Sequence, residues 1–155
     1  MRTQPDRPGP PSADPAGPAG VDGDRLPATL TLEVRPAGSV RPDLLETFPY
    51  EYPQSAAIVE IDTDEFTAVC PWSGLPDFGR LTVRYVPVER VLELRSVKYY
   101  LLSYRSVGIF QEHAANRILN DLVRACAPTW MEVELDYRIR GGIHTRVRAR
   151  WDAPR

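Results

Sequence analysis

The stretch Phe66-Thr-Ala-Val-Cys70-Pro-Trp-Ser-Gly-Leu-Pro-Asp77-Phe-Gly79-Arg-Leu-Thr-Val-Arg-Tyr-Val86 decides the fold. A strand-like segment ends on a thiol. Pro71, Gly74 and Pro76 break it, and a second strand starts at once from Gly79. In that second strand Leu81, Val83 and Tyr85 alternate with Thr82 and Arg84, the period of a half-buried strand. The two segments form a hairpin whose broad loop can fold Asp77 back toward Cys70. A thiol beside a carboxylate is a nucleophile beside a proton carrier. Taken alone, the same residues also describe a buried thiol in a β core and an acid in a turn, since free Cys is among the most buried residue types.

Outward from this hairpin the pattern continues. Upstream, Ala56-Ala-Ile-Val-Glu-Ile61 is β-rich and leads into the Cys70 strand. Downstream, Pro87 and residues 88–90 make a turn before a short strand over 91–94. A helix is expected over 96–104, with Ser96 as its cap. A second is expected over 111–126, where Ala115, Ile118, Leu119, Leu122, Val123 and Cys126 form an apolar stripe, and Pro128 stops it. In the next strand Met131, Val133, Leu135 and Tyr137 alternate with acids. In the last, Ile143, Thr145, Val147 and Ala149 alternate with His144 and arginines. Arg140-Gly141-Gly142 is the turn between them. The order is ββααββ, an α+β chain with one antiparallel sheet and two helices on one face. Such a sheet keeps unpaired edges, which copies of the same chain can cover.

Residues 1–27 are rich in Pro, Gly and Ala and read as a disordered tail, because they cannot bury enough apolar surface to offset ordering entropy. Residues 28–155 read as one domain. Within it, 29–35 is a short strand or an arm on a neighbouring subunit, and the globular part starts near Leu44. A formal net charge of -2 argues against a nucleic-acid-binding surface, so no stable nucleic-acid complex is expected. There is no apolar run of about eighteen residues for a membrane span, and no signal-peptide core at the N-terminus. The two cysteines make no disulfide framework and suit a reducing cytoplasm. His113 and His144 stand at no metal-ligand spacing, so no metal is expected. No GxGxxG follows a strand, so a nicotinamide cofactor would not sit on a Rossmann unit.

Three further runs stand in order behind the Cys70 loop: Glu93-Leu-Arg-Ser-Val-Lys-Tyr-Tyr100, Phe110-Gln-Glu112 and Arg140-Gly-Gly-Ile143. Together the four resemble the 7-cyano-7-deazaguanine reductases of the QueF type, the nitrile reductases of queuosine biosynthesis. The resemblance spans residues 48–151, about two thirds of the chain. It implies the tunnelling fold, in which subunits join sheets into a barrel and active sites lie between protomers of a homo-oligomer. It implies a small deazapurine substrate and NADPH as cofactor. It makes Cys70 the nucleophile that forms a thioimide and Asp77 the proton donor. Glu112, with Gln111 and His113 beside it, would bind the substrate's N–H edge. Glu93, Arg95, Ser96, Lys98, Arg140, Gly141 and Gly142 would serve the cofactor.

Two positions depart from the family pattern. Arg95 stands where Lys is usual, which keeps the charge but changes the fork geometry. Gln111 stands where many members have His, and Gln cannot shuttle a proton at neutral pH. These departures leave two rivals in view. One is an archaeal type of relative that attacks the same nitrile and lets ammonia displace the thiol, giving an amidine. The other is a non-catalytic module that holds a purine- or pterin-like ring.

Overall fold

The computed structural model describes residues 33–154. The tail expected over 1–27 and most of the arm expected over 29–35 lie outside the described residues. Six strands and two helices follow: β1 Thr47–Pro49, β2 Val59–Val69, β3 Pro76–Val86, β4 Arg90–Leu92, α1 Leu94–Leu102, α2 Gln111–Cys126, β5 Trp130–Tyr137 and β6 Arg146–Asp152. The main sheet is antiparallel throughout, in the order β2-β3-β5-β6. Two hairpins are thus joined side by side through β3 and β5.

The period-2 pattern sorts residues to two faces. Leu81, Val83 and Tyr85 of β3 and Met131, Val133 and Leu135 of β5 are fully buried. They meet Ala115, Ile118, Leu119 and Leu122 of α2, so that helix lies across the sheet as its stripe requires. The opposite face is charged in columns. Glu60 and Asp62 on β2 pair with Arg84 and Arg80 on β3. Arg84 also reaches Glu132 of β5, whose Glu134 and Asp136 take Arg148 and Arg146 of β6. The columns therefore run acidic, basic, acidic, basic across the sheet.

Several elements differ from the sequence reading. Residues 91–94 do not extend the main sheet. Arg90–Leu92 pairs with Thr47–Pro49 in a separate two-stranded sheet, and three-residue strands carry no readable period. Helix α1 starts at Leu94, and its cap is Glu93, not Ser96. The Glu93 carboxylate accepts from the N–H groups of Arg95 at 3.0 Å and Ser96 at 2.7 Å. Ser96 is buried in the first turn. Its hydroxyl donates to the Glu93 carbonyl at 2.6 Å and accepts from the Glu46 N–H at 2.9 Å. Strand β6 starts at Arg146, not Ile143, because Arg140 and Ile143 close a turn of their own and leave Ile143 71% exposed. The fold also starts before Leu44. Val40 is in the core, and Arg35 bridges to Val107.

Between α1 and α2 lies a buried polar cluster. The Tyr100 hydroxyl donates to Asp121 Oδ2 at 2.9 Å, Tyr104 donates to Tyr100 at 2.8 Å, and Arg117 Nε reaches the same Asp121 oxygen at 2.7 Å. Burial pushes both phenols above their ordinary range, so they remain donors at any working pH. Removing the acceptor strands the Tyr100 hydroxyl and one cation. Asp121→Ala is expected to destabilise the fold by about 3 kcal/mol. Tyr100→Phe, which removes one donor, is expected to cost about 1 kcal/mol. Urea denaturation of the two variants checks the order.

Candidate active site

Val69 and Pro76 are the last pair of the β2–β3 hairpin, so residues 70–75 leave the sheet as a loop. The loop is tight at its base. The Cys70 N–H donates to the Leu75 carbonyl and the Gly74 N–H to the Cys70 carbonyl, both at 2.9 Å. Gly74 sits at φ 70°, where a side chain is disfavoured. This geometry turns Cys70 and Asp77 inward. They are 7% and 6% exposed, while Trp72 between them is 89% exposed.

The start of α2 is held beside this loop by backbone bonds. Val69 accepts from the Ile109 N–H at 3.0 Å and donates to the Val107 carbonyl at 2.9 Å. Gly108 lies between them and in turn donates to the Arg35 carbonyl at 2.8 Å. A Cβ on Gly108 would come within 2.7 Å of Val34 Cγ1, so only glycine lets the segments approach this closely. Phe110, Gln111 and Glu112 follow at once and open onto the loop.

The result is a cavity of about 540 Å³ that Cys70, Asp77, Gln111, Glu112 and Arg140 share with an apolar wall of Pro71, Trp72, Leu75 and Phe110. Arg140 Nη1 donates to Asp77 Oδ1 at 2.6 Å. The Cys70 thiol is pulled from its ordinary 9.0 down to about 7. A hydrogen bond from the Ser73 hydroxyl is the largest cause. The backbone N–H groups of Ser73 and Trp72 and the side chain of Arg140 add to it, and burial opposes it. Cys126 is the contrast. It is the last residue of α2, donates to the Leu122 carbonyl at 3.3 Å, and is pushed up to about 12 by burial.

The cavity therefore holds an ionisable thiol, a buried carboxylate beside it, a second carboxylate and a guanidinium. Such a set can attack an electrophilic carbon, pass a proton, and hold an N–H edge. Cys70, Asp77, Gln111, Glu112 and Arg140 are brought together. His113 is not. Its ring packs edge-on against Phe110 at 5.7 Å, outside the cavity lining.

The residues read as cofactor-binding divide among three places. Lys98 pairs with Glu65 and lines a second cleft of about 420 Å³ with Thr63, Thr67, Phe78, Leu101, Leu102 and Arg105. Arg95 lies in a groove beside Asp43, Glu46 and Glu93, while Glu93 and Ser96 serve the start of the helix. Arg140 faces the nucleophile, and Gly141 and Gly142 take φ 59° and 79° in the turn. Arg105, Ser73 and Tyr137 were not singled out from sequence. Arg105 stands seven residues after Lys98, past the end of α1, and Ser73 precedes the loop glycine, so Ser73 carried a readable turn signal. Tyr137 had only its strand period. Its hydroxyl donates to the Gln111 carbonyl at 3.5 Å.

Comparison with known proteins finds relatives of this chain. The family model described as QueF-like protein matches residues 76–155. An NADPH-dependent 7-cyano-7-deazaguanine reductase of Caldicellulosiruptor bescii is 56% identical over 110 residues, covering 71% of this chain and 84% of that one. A protein of the same name from Chloroherpeton thalassium is 47% identical over 114 residues, covering 74% and 98%. Among solved structures, the apo form of the archaeosine synthase QueF-Like superposes with a TM-score of 0.59 at 28% identity, covering 63% of this chain and 95% of that one.

The thiol contrast is testable without substrate. Iodoacetamide labelling followed by mass spectrometry should show Cys70 reacting with a midpoint near pH 7, faster as pH rises through that value because the thiolate is the nucleophile. Cys126 should stay unlabelled in the folded protein up to at least pH 9.

Proposed function

Since the chain belongs to the NADPH-dependent 7-cyano-7-deazaguanine reductase family, we propose that it reduces the nitrile of 7-cyano-7-deazaguanine to the aminomethyl group through a thioimide on Cys70. The observation that carries this reading is an ionisable thiol sharing one cavity with a buried Asp77 and with Glu112. Cys70 Sγ attacks the nitrile carbon. A C–S bond forms, one C–N π bond opens onto nitrogen, and that nitrogen takes a proton. Asp77 carries the proton, because Gln111 cannot and His113 lies outside the cavity lining. Glu112 accepts hydrogen bonds from the ring N–H and exocyclic amine. When bound, NADPH supplies hydride, one equivalent for each of the two reduction steps.

The second cleft has the chemistry for that cofactor. Lys98 and Arg105 supply positive charge, Thr63 and Thr67 hydroxyls, and Phe78, Leu101 and Leu102 an apolar wall. Phosphate would compete with Glu65 for Lys98. The acidic surroundings of Arg95 make it the weaker phosphate ligand of the set. The amidine-forming reaction is disfavoured by the higher identity to reductases and by the 93–100 segment, which resembles the reductase signature. A cytoplasmic setting would keep Cys70 reduced.

Assembly into a homo-oligomer fits the charged sheet face. Among the described residues β2 and β6 are the edge strands, one with an acidic column and the other with a basic one. Pairing β2 of one subunit with β6 of the next continues the alternation, whereas β2 on β2 or β6 on β6 sets like charges side by side.

Four experiments test this reading. Without NADPH, intact-mass spectrometry with 7-cyano-7-deazaguanine should show an adduct of substrate mass that Cys70→Ala abolishes. With NADPH, absorbance of the reduced nicotinamide should fall by two equivalents per nitrile. Glu112→Leu should weaken substrate binding tens-fold or more, since stranding buried donors costs about 2–5 kcal/mol. An adduct that survives in Cys70→Ala, or no NADPH consumption by wild type, overturns the assignment. For assembly, reversing Arg146, Arg148 and Arg150 to Glu should lower the mass seen by light scattering. Reversing Glu60, Asp62 and Asp64 to Lys in the same chain should restore it.

A further inference from the structure

We propose that Arg140 is a positioning residue of the nucleophile, whose guanidinium joins the Cys70 sulfur and the Asp77 carboxylate in one cluster so that the thiol's proton can pass to Asp77. The resemblance assigned Arg140 to the cofactor. Its geometry points to the thiol instead.

The first argument is how the side chain is aimed. Gly141 and Gly142 both have positive φ, and the flanking residues exchange two bonds, Arg140 N–H to the Ile143 carbonyl at 3.1 Å and the reverse at 3.0 Å. Two positive-φ residues in a closed two-residue turn make a stiff, sharply twisted connection. The turn is also stitched to β3. Arg138 donates its N–H to the Phe78 carbonyl at 2.9 Å, and its guanidinium lies 5.7 Å from the Phe78 ring centre. Phe78 is the neighbour of Asp77. The turn is thus held by the strand that carries the acid, and Arg140 reaches Asp77 Oδ1 at 2.6 Å. Arg140 lines the same cavity as Cys70, and hydrogen bonding to Cys70 is the largest influence raising the guanidinium above its ordinary value. A planar fork of fixed donors suits serving a sulfur and a carboxylate at once.

The second argument is charge balance. The groups facing the sulfur are the Ser73 hydroxyl of its own loop, Asp77 from β3, Glu112 from α2 and Arg140 from the β5–β6 turn. Tyr137, from the end of β5, lies close to both carboxylates and is held neutral by burial. Asp77 and Glu112 both oppose a thiolate. Among the described residues Arg140 is the one cation lining the cavity. Without it, ionising Cys70 would add a negative charge to two carboxylates. With it, the proton moves from Sγ to the Asp77 carboxylate. The sulfur then bonds to the electrophilic carbon, and Asp77 gives that same proton to the nitrogen. No proton is taken from solvent.

This inference rests on the nitrile reading only for its last step, so the test has one arm with substrate and one without. In Arg140→Gln, the pH midpoint of Cys70 alkylation by iodoacetamide should rise, with no cofactor or nitrile present. At pH 7 and without NADPH, adduct formation with 7-cyano-7-deazaguanine should slow at least tenfold and recover as pH is raised. Arg140→Lys should restore much of the alkylation profile but little of the adduct rate, because it returns charge without the fork. An unchanged midpoint in Arg140→Gln, with the defect confined to the KM for NADPH, overturns the proposal and returns Arg140 to the cofactor. If Arg140→Gln fails to fold, a wild-type adduct rate in Arg140→Lys overturns it. A raised midpoint in Arg140→Gln, with no adduct in wild type, leaves Arg140 in its role and removes the nitrile.

Discussion

Val69 uses both of its outward backbone groups on residues 107 and 109, and the site depends on that pairing. It ends β2 one residue before the thiol. It also stops the connection between the helices from drifting, so α2 starts beside the Cys70 loop. Peptide groups left bare at this depth would be costly, so the pairing is well determined. Arg35 adds a third segment through Ser106 and Gly108. Gly108 is the point where three chain segments meet, and the contact with Val34 leaves no room for a side chain there. Cys70 and Glu112 are thereby brought to one cavity by main-chain bonds, which side-chain changes in the pocket leave in place.

On this frame the chemistry is a problem of charge. A thiol with two carboxylates around it would ordinarily stay protonated. The loop supplies part of the remedy, through the Ser73 hydroxyl and two backbone N–H groups aimed at the sulfur. These are fixed dipoles, already oriented before any substrate arrives, and they need no reorganisation during the reaction. The rest comes from the β5–β6 turn at the same end of the sheet, which brings Arg140 to Asp77, 63 residues away in sequence. Loop and turn thus divide the task, one through dipoles and the other through a full charge.

Much of this was legible in the chain because the relevant patterns are strong. The alternation in β3 and β5, the stripe on α2 and the loop broken by Pro71 and Gly74 each carry a physical signature. The β1–β4 sheet carried none, since three residues cannot display a period. The cap of α1 was misread because Ser is the commoner capping residue, yet the Glu93 carboxylate reaches two N–H groups that Ser96, already inside the first turn, cannot. The grouping of Arg95 with Lys98 failed for a different reason. Spacing along a helix says which residues share a face, but not what that face meets. Arg95 meets the acids of residues 43–46, a segment with no periodic signal, while Lys98 meets β2. Arg140 was found as a turn residue, but its direction follows from the Arg138–Phe78 bond, which only the β3–β5 register creates.

The charged face shows the same limit and has a consequence of its own. Each strand's acids or arginines are visible in the sequence. That they form alternating columns depends on the pairing order β2-β3-β5-β6, which connects strands across the helices. Exposed ion pairs contribute little to stability in water and are screened by salt. A ladder of them is therefore poorly explained as a brace for the fold, which Leu81, Val83, Tyr85, Met131, Val133 and Leu135 already hold from the other side. In the proposed assembly its physical use would be discrimination. Two sheet edges that differ in sign distinguish one way of joining copies from the others, because mismatched edges repel while matched ones continue the pattern. Stability is carried by the buried face, and in the proposed assembly the exposed face would carry partner choice, so the sheet could keep both edges available without inviting indiscriminate pairing.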